Sequence, residues 1–306
     1  MEDVTLASVI VCTHNPRPDY FRRVLDAVRA QTLPKNQWEL LLVDNASDTC
    51  LANSWDVSWH PRARIVRENQ IGLTPARIRG IVESSGDLFV FVDDDNVIAQ
   101  EYLTNALQIG AEYPHLGCWG GSIQAEFETE PPSWANRYLP LLALHTTKTD
   151  RWSNTARDSD TIPRGAGLCV RKTVALKWRD AVVIDKARFG LGRSGETLHA
   201  AEDWDLAFTA CDLGLGTGIF VRLVLRHLIP KERLTVAYFE NLARGMEYSH
   251  VILQSLRDTD LQRARESLLR RLIAEYRIWR LSPQQRRIER ARRAGRERAY
   301  SQLQLG

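Results

Sequence analysis

Cysteine is scarce and scattered: Cys12, Cys50, Cys118, Cys169 and Cys211 are the five in 306 residues, and no two form a Cys-x-x-Cys pair. An odd, dispersed set excludes a disulfide framework and a thiolate zinc site and leaves core or incidental thiols. Long apolar runs are also missing. No stretch reaches the roughly 18 to 20 residues that a membrane-spanning helix needs, and residues 1–5 lack the basic and apolar regions of a secretory leader. The expectation is a cytoplasmic protein. Absent too is Gly-x-Gly-x-x-Gly after the first apolar run, where Thr13-His14-Asn15-Pro16 stands instead, which argues against a dinucleotide-binding dehydrogenase. A glycine-containing loop at 189–195 lacks the Lys and Ser/Thr of a P-loop, so its glycines read as flexibility more than as a phosphate cradle.

What is present is ordinary globular material, 44% hydrophobic and 26% charged, enough for one large domain or two small ones. The formal charge of +3 conceals an asymmetry, because residues 263–298 are crowded with arginine while the preceding body is net acidic. That charge favours nucleic acid, but no docking module accompanies it, so no nucleic-acid partner is expected.

The most informative stretch is Leu88-Phe89-Val90-Phe91-Val92, which stops in Asp93-Asp94-Asp95. A short apolar run rich in aromatic and β-branched residues predicts a buried strand of a parallel sheet. Ligands of open α/β sheets bind beyond the carboxyl ends of such strands. Three adjacent carboxylates repel one another, and a hard divalent cation bridging to phosphate oxygens offsets that. A solvated acidic turn, or a cap for the segment after Ile98, is the plainer alternative.

Residues 7–12, 38–43 and 64–66 read as further strands, with helices from Tyr20 to Gln31 and from the Thr74-Pro75 start to Gly86. Strands alternating with helices predict parallel crossovers. A helix over 102–109, a strand over 116–121 and a helix from about Ala200 to Leu213 follow. Between them the alternation weakens, with one apolar helix expected around 138–144 and a mobile polar loop over 146–160. Asp44 closes the second strand, either as an Asx turn or as an acceptor for a base edge. Gly165 to Gly167 form a turn or a close approach to ligand, and Trp134 and Trp152 either stack on sugar or pack in the core.

Taken together, six motifs resemble the family 2 glycosyltransferases over about residues 5–240. They are Val9 to Asn15, Glu39 to Ser47, Glu68-Asn69 leading to Gly72-Leu73-Thr74-Pro75-Ala76-Arg77, Gly86 to Asp95, Ala201-Glu202-Asp203-Trp204-Asp205, and Arg226-His227-Leu228-Ile229-Pro230. Ile78 stands where that family often carries asparagine. The resemblance implies an α/β fold of the GT-A (Rossmann-like) type, a mainly parallel central sheet flanked by helices with a helical C-terminal extension. It implies a nucleotide-binding half (1–121), an acceptor-binding half (122–240) and a basic helical extension (241–306).

On the same resemblance, Thr13, Asn15, Asp44, Arg77, Asp93 and Asp94 serve the nucleotide-sugar donor, with Asp44 on uracil and Arg77 on the diphosphate. Asp95 and His227 hold a divalent cation, Mg2+ or Mn2+. Asp203 is the general base, and Glu202 and Trp204 shape the acceptor side. The implied reaction is an inverting, in-line transfer from a UDP-sugar to an acceptor hydroxyl of a saccharide or lipid-linked substrate, in surface polysaccharide or glycoconjugate synthesis. A non-catalytic nucleotide-sugar-binding protein is the alternative. Finally, Leu268, Leu269, Leu272, Ile273, Tyr276 and Trp279 recur at helical spacing among arginines, so this helix either packs on the domain or lies peripherally on the inner face of a membrane. Pro283 is expected to break it, and the stretch 286–298 to be frayed.

Overall fold

The computed structural model describes residues 5–155, 159–195, 197–257 and 268–305, without the side chains of 268–272 and 304–305. The first half alternates as the hydropathy pattern requires: β1 (Ala7–Thr13), α1 (Pro18–Arg29), β2 (Trp38–Asn45), β3 (Ala63–Glu68), α2 (Leu73–Glu83) and β4 (Leu88–Asp93). Then come β5 (Asn96–Ile98), α3 (Tyr102–Glu112), β6 (Leu116–Phe127), β7 (Arg151–Ser153), β8 (Cys169–Arg171), α4 (Lys172–Ile184) and α5 (Lys186–Phe189). The chain continues through α6 (Glu202–Asp212), β9 (Gly216–Ile229), α7 (Val236–Arg257), α8 (Leu268–Trp279) and α9 (Pro283–Leu305).

Among the described residues the strands form one sheet in the order β3-β2-β1-β4-β8-β6-β9-β5, with β7 attached to β9. Strands β3, β2, β1 and β4 are parallel. The antiparallel β8 then joins β4 to β6, and β6 runs parallel to β9. Alternation within the strands feeds two cores. Val9, Val11, Leu40, Leu42, Val90 and Val92 pack on one face with Phe21, Val24 and Leu103, while Ile10, Leu41, Val43, Phe89 and Phe91 pack on the other with Ile81, Trp178 and Leu206. Continuous apolar strands buried on both faces are what a helix-covered parallel sheet demands.

Several expectations change. The start of α2 is capped at Gly72, with no side-chain cap, and Thr74 lies inside the first turn with its hydroxyl unpartnered. The apolar segment at 138–144 makes only a 3-10 turn, Leu139–Leu142, with Pro140 in its first turn and the left-handed Ala143 ending it. The polar loop contains β7, which pairs with β9. Pro283 does not merely end a helix; it begins α9, and 286–298 is helical. Ile288, Ala291 and Ala299 are buried, and Gly295 meets α7 so closely that a Cβ there would lie 2.2 Å from the carbonyl oxygen of Arg244. The arginines on the outer flanks of α9 pair with Glu240 and Glu247 of α7. The arginines expected at 263 and 265 lie outside the described residues. No described helix is long and apolar enough to cross a membrane.

Candidate active site

Parallel register brings the strand ends together: Thr13 stands level with Asp44 on β2, and Cys12 with Asp93 on β4. Asp94 and Asp95 form the turn from β4 into β5. The hydroxyl of Thr13 donates to Asp94 Oδ2. Burial, with the neighbouring Asp95 and Asp93 charges adding, pushes the Asp94 carboxyl up to about 7, although the Thr13 hydrogen bond opposes this. Burial also raises Asp93, against the pull of Arg77.

β5 is three residues long and decides the site. It pairs antiparallel with β9, setting Asn96 opposite His227, and the Leu228 amide donates to the Asp95 carbonyl at 2.8 Å. His227 Nε2 consequently lies 3.3 Å from Asp95 Oδ2, with both side chains buried. His227 Nδ1 is 3.0 Å from the Leu142 carbonyl, and Arg233 Nη1 is 3.0 Å from Nε2. A guanidinium only donates, so with these two partners Nε2 is the accepting nitrogen and Nδ1 the one that donates to the Leu142 carbonyl. Arg233 Nη1 is also 2.8 Å from Asp95 Oδ2. Burial alone would raise Asp95, but the Arg233 guanidinium beside it holds its carboxyl below the usual range.

These donors fit a divalent cation. One carboxylate oxygen and one imidazole lone pair converge, and the adjacent Asn96 Oδ1 is buried without a partner. Among the described residues no three His, Cys, Asp or Glu side chains form a complete cage, so phosphate oxygens and water would complete the coordination, as magnesium sites ordinarily require.

On the other side of the acids, Arg77 departs from expectation. Its side chain is 2% exposed, with Nη1 2.8 Å from Glu202 Oε1 and Nη2 3.9 Å from Asp93 Oδ1, and it lies over the Phe91 ring. It holds two carboxylates rather than presenting itself to a diphosphate. Gly165 makes room for it, since a Cβ there would stand 2.6 Å from Arg77 Nη2. At Gly167 the backbone turns with φ +70°, and its carbonyl accepts from Tyr102.

Glu202 and Asp203 open α6, where carboxylates suit the helix dipole. Burial pushes Glu202 up to about 7, with Arg77 pulling the other way. Asp203 Oδ2 accepts from the Gly165 amide at 2.8 Å and Oδ1 from the Trp204 amide at 2.9 Å. Trp204 packs beside His250 and Phe208, with Arg164 over its ring. Asp205, fully buried, accepts from Trp178 and sits by Arg188 and Arg257, which anchors α6 beneath the site.

The nucleotide-side residues divide. Asn15, at φ 49°, exchanges hydrogen bonds with Asp48 and donates its backbone amide to the Ser47 hydroxyl. Asp44 is wholly buried and accepts from the Ser47 and Leu51 amides and from Arg67, the Asx-turn arrangement. A cleft of about 530 Å³ opens beside Asn15, Ser47, Asp48, Leu51 and Trp55, and Asp48, not Asp44, lines it. Trp134 packs against Phe239. Trp152 pairs with Gly218 at the opposite end of β9 from His227, roughly 25 to 30 Å along the strand, so the structure does not bring it to the acids. Two further arginines, Arg193 and Arg233, stand by the acids. Arg193 lies close enough for its charge to act on Asp93, Asp95 and Glu202, and its carbonyl accepts from the Leu73 amide. Local sequence marks neither arginine, because both reach the acids through tertiary folding.

The sequence model described as Glycosyl transferase family 2 matches residues 8–169. That is more than half of the chain, and the chain belongs to the family 2 glycosyltransferases. Glycosyltransferase AglE of Haloferax volcanii is 32% identical over 99 residues, 31% of this chain and 32% of that protein; the match therefore spans about a third of that relative's length. Among solved structures, the mannosyltransferase PcManGT of Pyrobaculum calidifontis, in complex with GDP-Man and Mn2+, superposes with a TM-score of 0.56 at 18% identity, covering 99% of this chain and 75% of that one. S. aureus TarS superposes with a TM-score of 0.51 at 17% identity over 85% of this chain and 44% of that one. The shared fold is the glycosyltransferase GT-A fold.

Proposed function

We propose that the protein transfers a sugar from a nucleotide-diphospho-sugar to an acceptor hydroxyl with inversion, using Asp203 as the general base. The observation that carries this is the chain of contacts Asp93–Arg77–Glu202, which holds the acidic strand end and the head of α6 side by side so that Asp203 is presented next to the donor acids. Asp203 keeps its carboxylate fixed by two backbone amides and takes the proton from the acceptor hydroxyl as that oxygen attacks the anomeric carbon. One in-line displacement follows, with no covalent sugar intermediate. Thr13 and Asp94, together with Asp93, bound the ribose and diphosphate side, and Asn15 lines the cleft open to a base. Asp44, wholly buried, shapes the cleft for uracil of a UDP-sugar by bracing the turn that carries Ser47 and Asp48. Asp95 and His227 would hold Mg2+ or Mn2+, which supplies charge against the departing nucleoside diphosphate. The GDP-Man and Mn2+ bound to PcManGT, a chain of the same fold, are in keeping with this reading.

The acceptor side, around Glu202 and Trp204, suits a saccharide or lipid-linked substrate in polysaccharide or glycoconjugate synthesis. Exposed Ile273, Tyr276 and Trp279 on α8, beside Arg277 and Arg280, support peripheral contact with anionic lipid. On this reading residues 1–240 form the catalytic unit and 241–306 the extension. The direct test is transfer from a panel of UDP-, GDP- and dTDP-sugars with Mg2+ or Mn2+, reading the product's anomeric centre by NMR. Inverted product is expected. Retained configuration rejects the displacement. For the lipid contact, Trp279→Ser with Tyr276→Ser should reduce co-sedimentation with anionic liposomes at low salt; undiminished or absent binding of the intact protein rejects it.

A further inference from the structure

Three successive carboxylates must be offset even before any ligand arrives, and the cations that do this are visible. Arg77 faces the Asp93 end and Arg233 the Asp95 end. The position of Arg233 is the unusual one. A single nitrogen, Nη1, lies 2.8 Å from Asp95 Oδ2 and 3.0 Å from His227 Nε2, the two atoms that converge as cation donors. An ordinary arginine–carboxylate pair has no need of an imidazole lone pair. Here the guanidinium is directed at that lone pair, where a metal ion would otherwise stand.

We propose that Arg233 is the resident cation of the Asp95–His227 seat, so that a divalent ion enters only by displacing its guanidinium. The inference rests on the reading of Asp95 and His227 as cation ligands. The backbone around Arg233 is fixed. Pro230 ends the β9 run, Glu128 accepts from the Lys231 amide at 3.0 Å, and Leu234 is buried in the core beside Ile229 and Phe239. The side chain is not fixed in the same way. It is 24% exposed, and its flexible stem lets the guanidinium leave without moving the turn that carries it. Arg233 thus keeps the donors in converging geometry in the free protein and opposes occupation by metal alone. Nucleotide phosphates shift the balance, because they supply ligands that two protein atoms do not. The physical consequence is conditional metal affinity: a competitor that holds the seat most of the time lowers apparent affinity by the fraction of time the seat is free.

Mn2+ binding to the whole protein, followed by electron paramagnetic resonance without nucleotide, tests this. Arg233→Met should bind Mn2+ at least about tenfold more tightly than the wild type, and adding UDP should tighten the wild type more than the variant. Arg226→Gln, an exposed arginine paired with Glu126, controls for loss of one positive charge nearby. If Arg233→Met does not fold, Arg233→Gln, which removes the positive charge but keeps a polar, flexible side chain, should show the same direction. Unchanged or weaker Mn2+ binding in the folded variant, with Asp95→Asn abolishing it, overturns the inference while leaving the ligand reading intact. Mn2+ binding indifferent to both Asp95→Asn and His227→Ala, or no Mn2+ binding to any of these proteins even with UDP, overturns the ligand reading and the inference together.

Discussion

The strand-end half and the α6–β9 half each lend an arginine to the other's carboxylate, and the two loans differ. Arg77 leaves α2 to bind Glu202 of α6, 125 positions away, and its side chain is 2% exposed. Arg233 leaves the turn after β9 to bind Asp95, and its side chain is 24% exposed. The first is enclosed by Phe91 and Gly165 and has no route out. The second touches water and shares its partner with an imidazole. A buried pair of the first kind fixes the two halves relative to each other, whereas a pair of the second kind can exchange its cation.

Removing the enclosed arginine should have the largest effect on stability. Arg77→Met strands Glu202 and Asp93 without their cation, and loss of one partner of a buried pair costs about 3–5 kcal/mol. A loss of that size in the unfolding free energy from urea titration is expected, and added Mn2+ should not restore it. A shift under about 1 kcal/mol would mean that Arg77 is not what clasps the halves.

The same clasp predicts a pH dependence. The Glu202 carboxyl is raised to about 7 in the fold, from an ordinary value of 4.5. Between those values the unfolded chain releases the proton while the native state keeps it, so stability falls as pH rises through the window and levels off above about 7. Urea midpoints from pH 4 to 8 should show this slope in the wild type and a shallower one in Glu202→Gln, where Asp94, also raised to about 7, keeps its own share. Parallel curves would contradict the raised carboxyl.

The smallest effect belongs to a surface pair joining the same halves, Arg23 of α1 with Glu126 of β6 at 2.7 Å. Both side chains are over a third exposed, so Arg23→Ala should cost no more than about 1 kcal/mol and less in high salt. A cost equal to that of Arg77→Met would erase the distinction between buried and exposed links.

Much of this architecture is readable from the residues. The run Leu88 to Val92 followed by three acids announces a buried strand and where it ends, and parallel pairing then sets Thr13 level with Asp44 automatically. The placement of His227 is not readable in that way. It depends on β5, three residues without a periodic signature, pairing with a strand that begins 120 positions later. Arg233 and the Arg77–Glu202 pair are hidden for the same reason: contacts between distant segments leave no local pattern. The arginine-rich α9 offered a signal that charge obscured. Ile288, Ala291, Gly295 and Ala299 recur at helical spacing, a face of small and apolar residues fit for close packing on α7, and Glu240 and Glu247 neutralise its flanks.

The central claim is that the carboxylate at the head of α6 removes the acceptor's proton, and one comparison tests it most directly. Transfer by Asp203→Asn is measured beside the wild type at saturating donor, with donor affinity determined on the same samples by calorimetry. The substitution keeps the shape and, with its one accepting oxygen toward Gly165, one of the two amide contacts, but removes the base, so transfer should fall by roughly 10² to 10⁴ while donor affinity stays within about twofold. Transfer within a few-fold of the wild type would contradict the assignment and require another base.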